Sequence, residues 1–161
     1  MLRRIDGLLA TLILVALAIG VVSVQREAER VEGLPRVVDG DSLEVGGRRI
    51  RLAGVDAPEL SQTCERPGGG TYRCGEVARE GLRALARGGL TCTLTGRDKY
   101  GRDLAVCEAA GRDVGAALVT DGLAVSYGRY EPEEREARGR AAGLWAGRFE
   151  RPSAWRAAHG R

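Results

Sequence analysis

The fold of this chain is decided by the stretch LPRVVDGDSLEVGGRRIRLAGV, residues 34–55, in which apolar and polar residues alternate on either side of a glycine pair. Alternation with a period of two residues indicates half-buried β-strands. The pattern predicts strands over residues 34–38, 42–45 and 48–55. Because glycine tolerates the positive φ angles of a two-residue turn, Gly46 and Gly47 are expected to join the last two strands in a tight hairpin.

The rest of the chain supplies a second hairpin and three helices. Strands are predicted over residues 90–95 and 103–108, on either side of a polar turn. Apolar residues at helical spacing, with glycine or proline near the ends, predict helices over residues 75–86, 113–120 and 132–143. Five strands with helices after the third and the fifth predict an α+β fold, mainly β, built on a five-stranded oligonucleotide-binding (OB) barrel.

An uncharged apolar run precedes these strands. It occupies residues 7–24 and follows Arg3 and Arg4. At 18 residues, the run is at the lower limit for a transmembrane helix and slightly longer than the apolar part of a signal peptide, so a retained membrane anchor and a cleaved signal both stay open. The arginines ahead of the run favour a cytoplasmic amino terminus and export of everything after it.

The length of 161 residues suits one compact domain with a short appendage. We expect a membrane segment at residues 1–24, a polar linker at 25–33, an OB-fold domain at 34–146 and a carboxyl-terminal tail at 147–161. The net charge is only +3. A broad basic surface is therefore excluded, and any affinity for nucleic acid must come from a local arrangement of arginines.

All four cysteines lie after the apolar run, at Cys64, Cys74, Cys92 and Cys107. An oxidising compartment favours disulfides, and the spacings contain none of the close Cys-x2-Cys pairs that zinc sites use. Of the three possible pairings, we predict Cys64–Cys74, which closes a glycine-rich loop, and Cys92–Cys107, which faces across the second hairpin.

Three short motifs place acidic and cationic side chains where a phosphodiester-cleaving site needs them. They are VVDGDS at residues 37–42, RLAGVDAPE at 51–59 and DKYGR at 98–102. Carboxylates at Asp41 and Asp56 suit a hard divalent cation, which prefers oxygen ligands, while arginines bind phosphate and neutralise charge that develops on it. Taken alone, the first motif is more often a simple turn, the second is equally a structural strand end, and the arginines are ordinarily solvated.

Taken together and in this order, the motifs resemble those of the staphylococcal nuclease (thermonuclease) family, over about residues 35–145. The resemblance implies that Asp41 and Asp56 bind Ca²⁺ together with the backbone carbonyl of Ala57, a position where the family usually has threonine. It also implies that Asp39 lies near enough to tune the metal without being a ligand.

The same resemblance implies the remaining roles. Arg51 and Arg102 bind and stabilise the phosphate, and Glu59 is the general base or the carboxylate that orients water. Lys99 belongs to the nucleotide-binding group. Tyr127 and Tyr130 follow the second helix, where the family has nucleotide-stacking tyrosines, but the spacing departs from the family and a packing role is an equal alternative.

The implied protein is an exported, calcium-dependent nuclease that hydrolyses DNA and RNA, prefers single strands and leaves 3′-phosphate ends. It is expected to be a monomer in the bacterial cell envelope, anchored or secreted, with its domain on the periplasmic or extracellular side. The alternative is a catalytically silent OB-fold module that binds single-stranded nucleic acid. Binding copies that have lost the site usually lack several of its residues. This chain has the complete set, which favours the enzyme: Asp41, Arg51, Asp56, Glu59 and Arg102.

The apolar segment generates a prediction about topology. Because the arginines precede it, protease added to intact spheroplasts should digest the domain while a cytoplasmic marker protein survives. Immunoblotting of the digested fractions measures the outcome. Digestion that requires cell lysis would show that the domain lies on the cytoplasmic side.

Overall fold

The computed structural model of the chain describes residues 28–160. The predicted membrane segment at residues 1–24 lies outside the described residues. Within the part that is described, no helix has the length and apolar character needed to cross a membrane.

The described residues contain eleven strands and five helices, one of which is a 3-10 helix. The strands are β1 (Arg30–Gly33), β2 (Arg36–Val37), β3 (Ser42–Val45), β4 (Arg48–Leu52), β5 (Val55–Asp56), β6 (Cys64–Glu65), β7 (Thr71–Tyr72), β8 (Leu90–Arg97), β9 (Asp103–Ala109), β10 (Arg112–Asp113) and β11 (Val125–Ser126). The helices are α1 (Cys74–Leu85), α2 (Val114–Thr120), α3 (Glu131–Gly139), the 3-10 helix (Gly143–Ala146) and α4 (Pro152–Ala158).

Seven of the strands form one sheet in the order β1-β8-β9-β4-β3-β2, with β10 paired to β9. Neighbours on this path are antiparallel except β4 and β9, which run parallel. The mainly β, α+β composition agrees with the sequence-based expectation. In the part of the chain that the structure describes, β1 and β2 are the two ends of the pairing order and are not paired with each other. The hydrogen-bonded order of the strands therefore does not include the closure that a five-stranded barrel predicts.

The predicted hairpin around the glycine pair is present. β3 pairs with β4 with Val45 opposite Arg48, which leaves Gly46 and Gly47 as the two turn residues. Their φ angles are 56° and 74°. Positive φ at both central positions matches the right-handed twist of the flanking strands, which explains why glycine occupies both sites.

The linker predicted at residues 25–33 is wrong at its carboxyl-terminal end. Arg30–Gly33 is β1, which pairs antiparallel with β8, and Val31 packs against the core. The segment has too few apolar residues to signal a strand by alternation. It is held instead by backbone hydrogen bonds to β8, which depend little on side-chain type.

The core lies between the main sheet and helices α1 and α2. Its largest fully buried side chains include Leu43, Ile50, Leu52, Leu82 and Leu118. Burial of each such side chain contributes about 1.5–3 kcal/mol of transfer free energy. Helix α1 contributes Leu82 to this core and α2 contributes Leu118, so that both helices are attached to the sheet through buried apolar side chains.

The three predicted helices are present with shifted ends. α1 and α2 agree with the sequence-based bounds to within one residue, and Gly122, with φ of 66°, follows α2 as expected. α3 ends at Gly139, four residues before the predicted Gly143. The chain then turns and forms the 3-10 helix, because the backbone N–H of Leu144 donates to the carbonyl of Gly122 and draws this segment onto the end of α2.

Both predicted disulfides are formed. Cys92 and Cys107 are direct partners across β8 and β9, with 4.0 Å between their Cα atoms. Cys64 and Cys74 join β6 to the start of α1 and lie in a second, smaller apolar cluster with Val125 and Leu144. The Cys92–Cys107 bond therefore cross-links two strands of the main sheet, and the Cys64–Cys74 bond cross-links the loop that leads into α1.

The carboxyl-terminal residues 147–161, predicted to be a tail, contain helix α4. Its first residue, Pro152, is fully buried. Ahead of the helix, Arg151 donates a hydrogen bond of 2.7 Å to the carboxylate of Glu134 in α3. The segment is thus attached to the domain by packing and by charge, which a local sequence pattern does not reveal.

Glu134 connects three elements around this attachment. Besides Arg151, its carboxylate accepts a 2.7 Å hydrogen bond from the backbone N–H of Ser126 in β11 and a charged hydrogen bond from Arg138. Burial alone would raise the pKa of Glu134, but these donors outweigh burial and lower the pKa. The ionised carboxylate is therefore the form that the fold stabilises.

Replacing Glu134 with glutamine should destabilise the protein by about 1–3 kcal/mol at neutral pH, because it removes the charge that these donors share. A lowered pKa in the folded state stabilises the fold above the ordinary glutamate pKa, and the effect disappears as pH falls through the folded-state pKa. The difference in the free energy of unfolding between Glu134→Gln and the parent should therefore become smaller at acidic pH.

Urea unfolding of both proteins between neutral and acidic pH measures this gap. Glu136→Gln is a matched control on the same helix, because Glu136 is exposed and pairs only loosely with Arg140, at 3.4 Å. An equal loss of stability in both variants would show that the buried network around Glu134 is not what stabilises this junction.

Candidate active site

Strand β4 places Arg51, the first of the two predicted phosphate-binding arginines, in a cleft. Its alternation buries Ile50 and Leu52 in the core and turns Arg51 to the opposite face, as the sequence predicted. The parallel partner β9 lies on one side of β4 and β3 lies on the other. These pairings bring the three sequence motifs together. Strand β3 begins at the last residue of the first motif, the second motif begins within β4, and β9 begins directly after the third motif.

Two predicted metal ligands lie next to Arg51 and are almost completely buried. Asp41 and Asp56 retain only 3% and 2% of their exposed surface. The guanidinium of Arg51 donates to Oδ1 of Asp41 at 2.7 Å and to Oδ1 of Asp56 at 3.1 Å. One arginine therefore bridges two carboxylates that would otherwise repel each other in a medium of low polarity.

The electrostatic environment of Asp41 is dominated by its burial. Burial raises the pKa of Asp41 to about 7, Arg51 opposes this effect, and the nearby charges of Asp39 and Asp56 add to it. Such a group is stabilised by any additional positive charge. The site thus concentrates negative charge that the neighbouring arginine only partly compensates.

Ala57 is held close to Asp41 by its backbone. Its N–H donates to Oδ2 of Asp41 at 3.0 Å, and its side chain is buried. A Cβ added to Gly40 would lie 2.6 Å from the Cβ of Ala57 and 2.8 Å from that of Ala78. Glycine is therefore required in the Asp-Gly-Asp turn so that it can approach the strand that carries the second carboxylate.

The turn between β8 and β9 presents the second predicted arginine. Asp98 accepts hydrogen bonds from the backbone N–H groups of Tyr100 and Arg102 and from Nε of Arg102, at 2.7 Å for the last. Burial raises the pKa of Asp98, but the bonds from Arg102 and Tyr100 outweigh it and lower the pKa. Asp98 thus fixes the direction in which Arg102 points, towards the Oγ of Ser42 at 3.4 Å.

Most of the predicted site residues line one cleft of about 1070 Å³. These are Asp39, Arg51, Asp56, Glu59, Lys99, Arg102 and Tyr127. Asp41 and Ala57 are not among the residues that line the cleft, but Asp41 accepts a hydrogen bond from Arg51, which does line it, and another from the backbone N–H of Ala57. The cleft brings acidic groups and cations together at one place, which is what hydrolysis of a charged ester requires.

Glu59 lies at the edge of the cleft with its side chain 24% exposed. Its backbone N–H donates to the amide oxygen of Gln62, and Gln62 is fully buried and donates to the carbonyl of Glu150 at 2.7 Å. Gln62 was not identified from the sequence, because a single glutamine after a turn carries no pattern. It ties the loop that carries Glu59 to the carboxyl-terminal segment.

The two candidate tyrosines have different environments. Tyr127 is 70% exposed and lines the cleft. Tyr130 is 8% exposed, its ring packs on Gly115, and its hydroxyl donates to Asp113 at 2.9 Å. The packing alternative thus describes Tyr130, whose ring is buried, whereas the ring of Tyr127 is open to the cleft.

Two further arginines line the cleft and were missed. Arg49 lies two residues before Arg51 on the same face of β4, so the strand alternation could have revealed it. Arg156 comes from α4 and reaches Asp56 at 2.9 Å and Glu59 at 3.3 Å. Glu59 and Arg156 are 97 residues apart in the chain, and no local signal connects them.

Comparison with known proteins agrees with this geometry. Residues 49–147 match the family model described as staphylococcal nuclease homologue. A protein named succinoglycan biosynthesis protein ExoI, from Rhizobium meliloti (strain 1021), is 37% identical over 137 residues, which cover 80% of this chain and 72% of that protein. A protein named micrococcal nuclease, from Shigella flexneri, is 33% identical over 161 residues, which cover 86% of this chain and 87% of that protein.

A protein named uncharacterized endonuclease, from Escherichia coli O157:H7, is 33% identical over 123 residues, which cover 69% of this chain and 74% of that protein. The chain belongs to the staphylococcal nuclease family. Membership of this family and the names of these relatives support a nuclease function, as the sequence motifs predicted.

The different burial of the two tyrosines yields a prediction. Tyr127→Ala should lower the affinity for a single-stranded oligonucleotide by about 1–3 kcal/mol, because it removes an exposed ring on which a base can stack. Tyr130→Phe is the control, since it deletes only the hydroxyl that contacts Asp113. It should lower stability by about 1 kcal/mol and leave the affinity unchanged.

Fluorescence anisotropy with a labelled oligonucleotide, measured at a single salt concentration, gives the affinities, and thermal unfolding gives the stabilities. Unchanged affinity in Tyr127→Ala would contradict the stacking role.

Proposed function

We propose that this protein is a calcium-dependent nuclease that hydrolyses phosphodiester bonds of single-stranded or frayed DNA and RNA and leaves 3′-phosphate ends. The observation that supports it most directly is the contact of Arg51 with both Asp41 and Asp56, in a cleft that Arg102 and Glu59 also line. The products and the preference for single strands follow from the resemblance to the family.

The donor chemistry of the site fits a hard divalent cation. Asp41 and Asp56 offer only oxygen atoms, and burial with two neighbouring carboxylates makes the negative charge of Asp41 costly unless positive charge is added. Among residues 28–160, no group of three or more His, Cys, Asp or Glu side chains is placed to hold a metal ion. The proposed ligands follow from the resemblance to the family: the carboxylates of Asp41 and Asp56 and the backbone carbonyl of Ala57.

When bound, Ca²⁺ would supply polarisation of the phosphoryl oxygen. Arg51 and Arg102 are proposed to bind the non-bridging oxygens and to stabilise the negative charge that grows as water attacks. Arg102 lines the cleft and is prepared for this role, because Asp98 holds its Nε and the Oγ of Ser42 accepts from its Nη1. Glu59 is proposed to orient the attacking water or to accept its proton, and Lys99 and Tyr127 to hold the flanking nucleotides.

A binding module without catalysis remains the second candidate. The cleft carries four arginines and one lysine, and these would hold a phosphate backbone even if no bond were broken. The buried Asp41 and Asp56 favour the enzyme, because a site that only binds a polyanion gains nothing from two carboxylates beside its arginines.

We also propose that the protein acts in the bacterial cell envelope, on the periplasmic or extracellular side, as a monomer. The apolar run at residues 7–24 and two disulfides support export to an oxidising compartment.

Asp41→Asn distinguishes the enzyme from the binding module. It keeps the size of the side chain and removes one negative charge from the proposed ligand set, so cleavage in calcium should fall by roughly 10²-fold or more. Affinity for a single-stranded oligonucleotide should stay equal or become tighter, because Arg51 and Arg102 remain. Arg51→Ala should lose cleavage and part of the affinity.

The measurement is the cleavage rate in calcium and in chelator, beside the oligonucleotide affinity at the same salt concentration. Asp39→Asn is the matched control. It also removes one negative charge, but Asp39 lies two residues before Asp41, is not a proposed ligand, and accepts a hydrogen bond from the backbone N–H of Asp41. Its loss of rate should be clearly smaller. A parent that binds but never cleaves with any divalent metal would replace the nuclease with the binding module.

A further inference from the structure

We propose that Arg156, in the carboxyl-terminal helix α4, is a positioning residue of the active site that holds the Glu59 carboxylate in place beside Asp56. This inference rests on the proposed nuclease function and adds to it a residue from outside the three sequence motifs. It also assigns a purpose to α4, in a segment that the sequence predicted to be a tail.

The guanidinium of Arg156 is shared between two carboxylates. Nη2 lies 2.9 Å from Oδ1 of Asp56, and Nη1 lies 3.3 Å from Oε1 of Glu59. The side chain is 27% exposed, so these contacts form in a partly desolvated place where they are stronger than on an open surface. Because the guanidinium is flat and rigid, engaging one carboxylate at each terminal nitrogen fixes the distance between them.

Helix α4 is held firmly enough to give this contact a defined direction. Arg148 in the preceding segment bridges to Glu65, Gln62 donates to the carbonyl of Glu150, and Arg151 donates to Glu134. Pro152 is fully buried. These attachments precede Arg156 by four to eight residues. The helix therefore approaches the cleft from a fixed base, and Arg156 does not have to be ordered from solution.

The loop that carries Glu59 depends on the same segment. Gln62 accepts from the backbone N–H of Glu59 with its amide oxygen and donates to Glu150 with its amide nitrogen. The backbone of Glu59 is thus connected to the chain just before α4, and its side chain is connected to α4 itself through Arg156. Both connections place the Glu59 carboxylate relative to Asp56 rather than relative to a substrate.

Positioning predicts a particular kinetic pattern. A carboxylate that orients water acts only if it lies at the right place, and a displacement of about 1 Å costs up to about 10²-fold in rate. Arg156→Ala should therefore lower kcat by about 10- to 100-fold and change KM by less than about 3-fold. Arg156→Lys keeps the charge but cannot span both carboxylates, so its kcat should lie between those of Arg156→Ala and the parent.

The decisive comparison is made in a second background. If Arg156 acts through Glu59, Arg156→Ala should cost almost nothing once Glu59→Gln is present, because the carboxylate that it positions is gone. If Arg156 contacts the phosphate instead, its full deficit should persist in that background and should appear partly in KM. Cleavage kinetics of the full chain in calcium, for the parent, both single variants and the double variant, give this cycle.

Arg83→Ala is the matched control, since Arg83 is a 47% exposed arginine on α1 that pairs with Glu80 and is not among the residues that line the cleft. It should keep the kcat of the parent. A parental kcat in Arg156→Ala, complete recovery in Arg156→Lys or an additive double variant would each overturn the positioning role and leave the nuclease proposal intact. A parent that does not cleave at all would overturn both.

Discussion

The pairing of strand β4 is the constraint on which the site depends. β4 lies between β3 and β9, and its alternation puts Ile50 and Leu52 in the core and Arg51 in the cleft. A shift of one residue would expose two large apolar side chains and bury a guanidinium, so the core fixes the register. The position of Arg51 next to the two buried aspartates is therefore a consequence of hydrophobic packing elsewhere in the strand.

Charge compensation around the two buried aspartates explains much of the remaining architecture. Asp41 and Asp56 are taken out of water by the same packing that holds the sheet, and their negative charges lie close together. Arg51 bridges both of them, and Arg156 adds a second positive charge to Asp56 from α4. The domain thus uses its last helix to complete an ionic network that begins in the first hairpin.

The sequence predicts what depends on local chemistry or on simple pairing. The Gly46-Gly47 turn follows from the positive φ that both positions need, and the Cys92–Cys107 bond follows from the symmetry of the second hairpin. It predicts much less about β1, whose pairing with β8 involves backbone groups that every residue type carries. The identity of the exposed tyrosine is also undecided by sequence, because Tyr127 and Tyr130 differ only in the packing around them.

The sequence by itself determined the mainly β class, the two hairpins, the disulfide pairs and the family, because turn residues, alternation and short motifs act over a few positions. It also named the acidic and cationic residues that belong together. Only the tertiary structure decided that Arg51 bridges Asp41 and Asp56 and that Arg156 reaches Glu59 across 97 residues. Such contacts form between segments that are distant in the chain, and the burial that strengthens them exists only after the chain has folded.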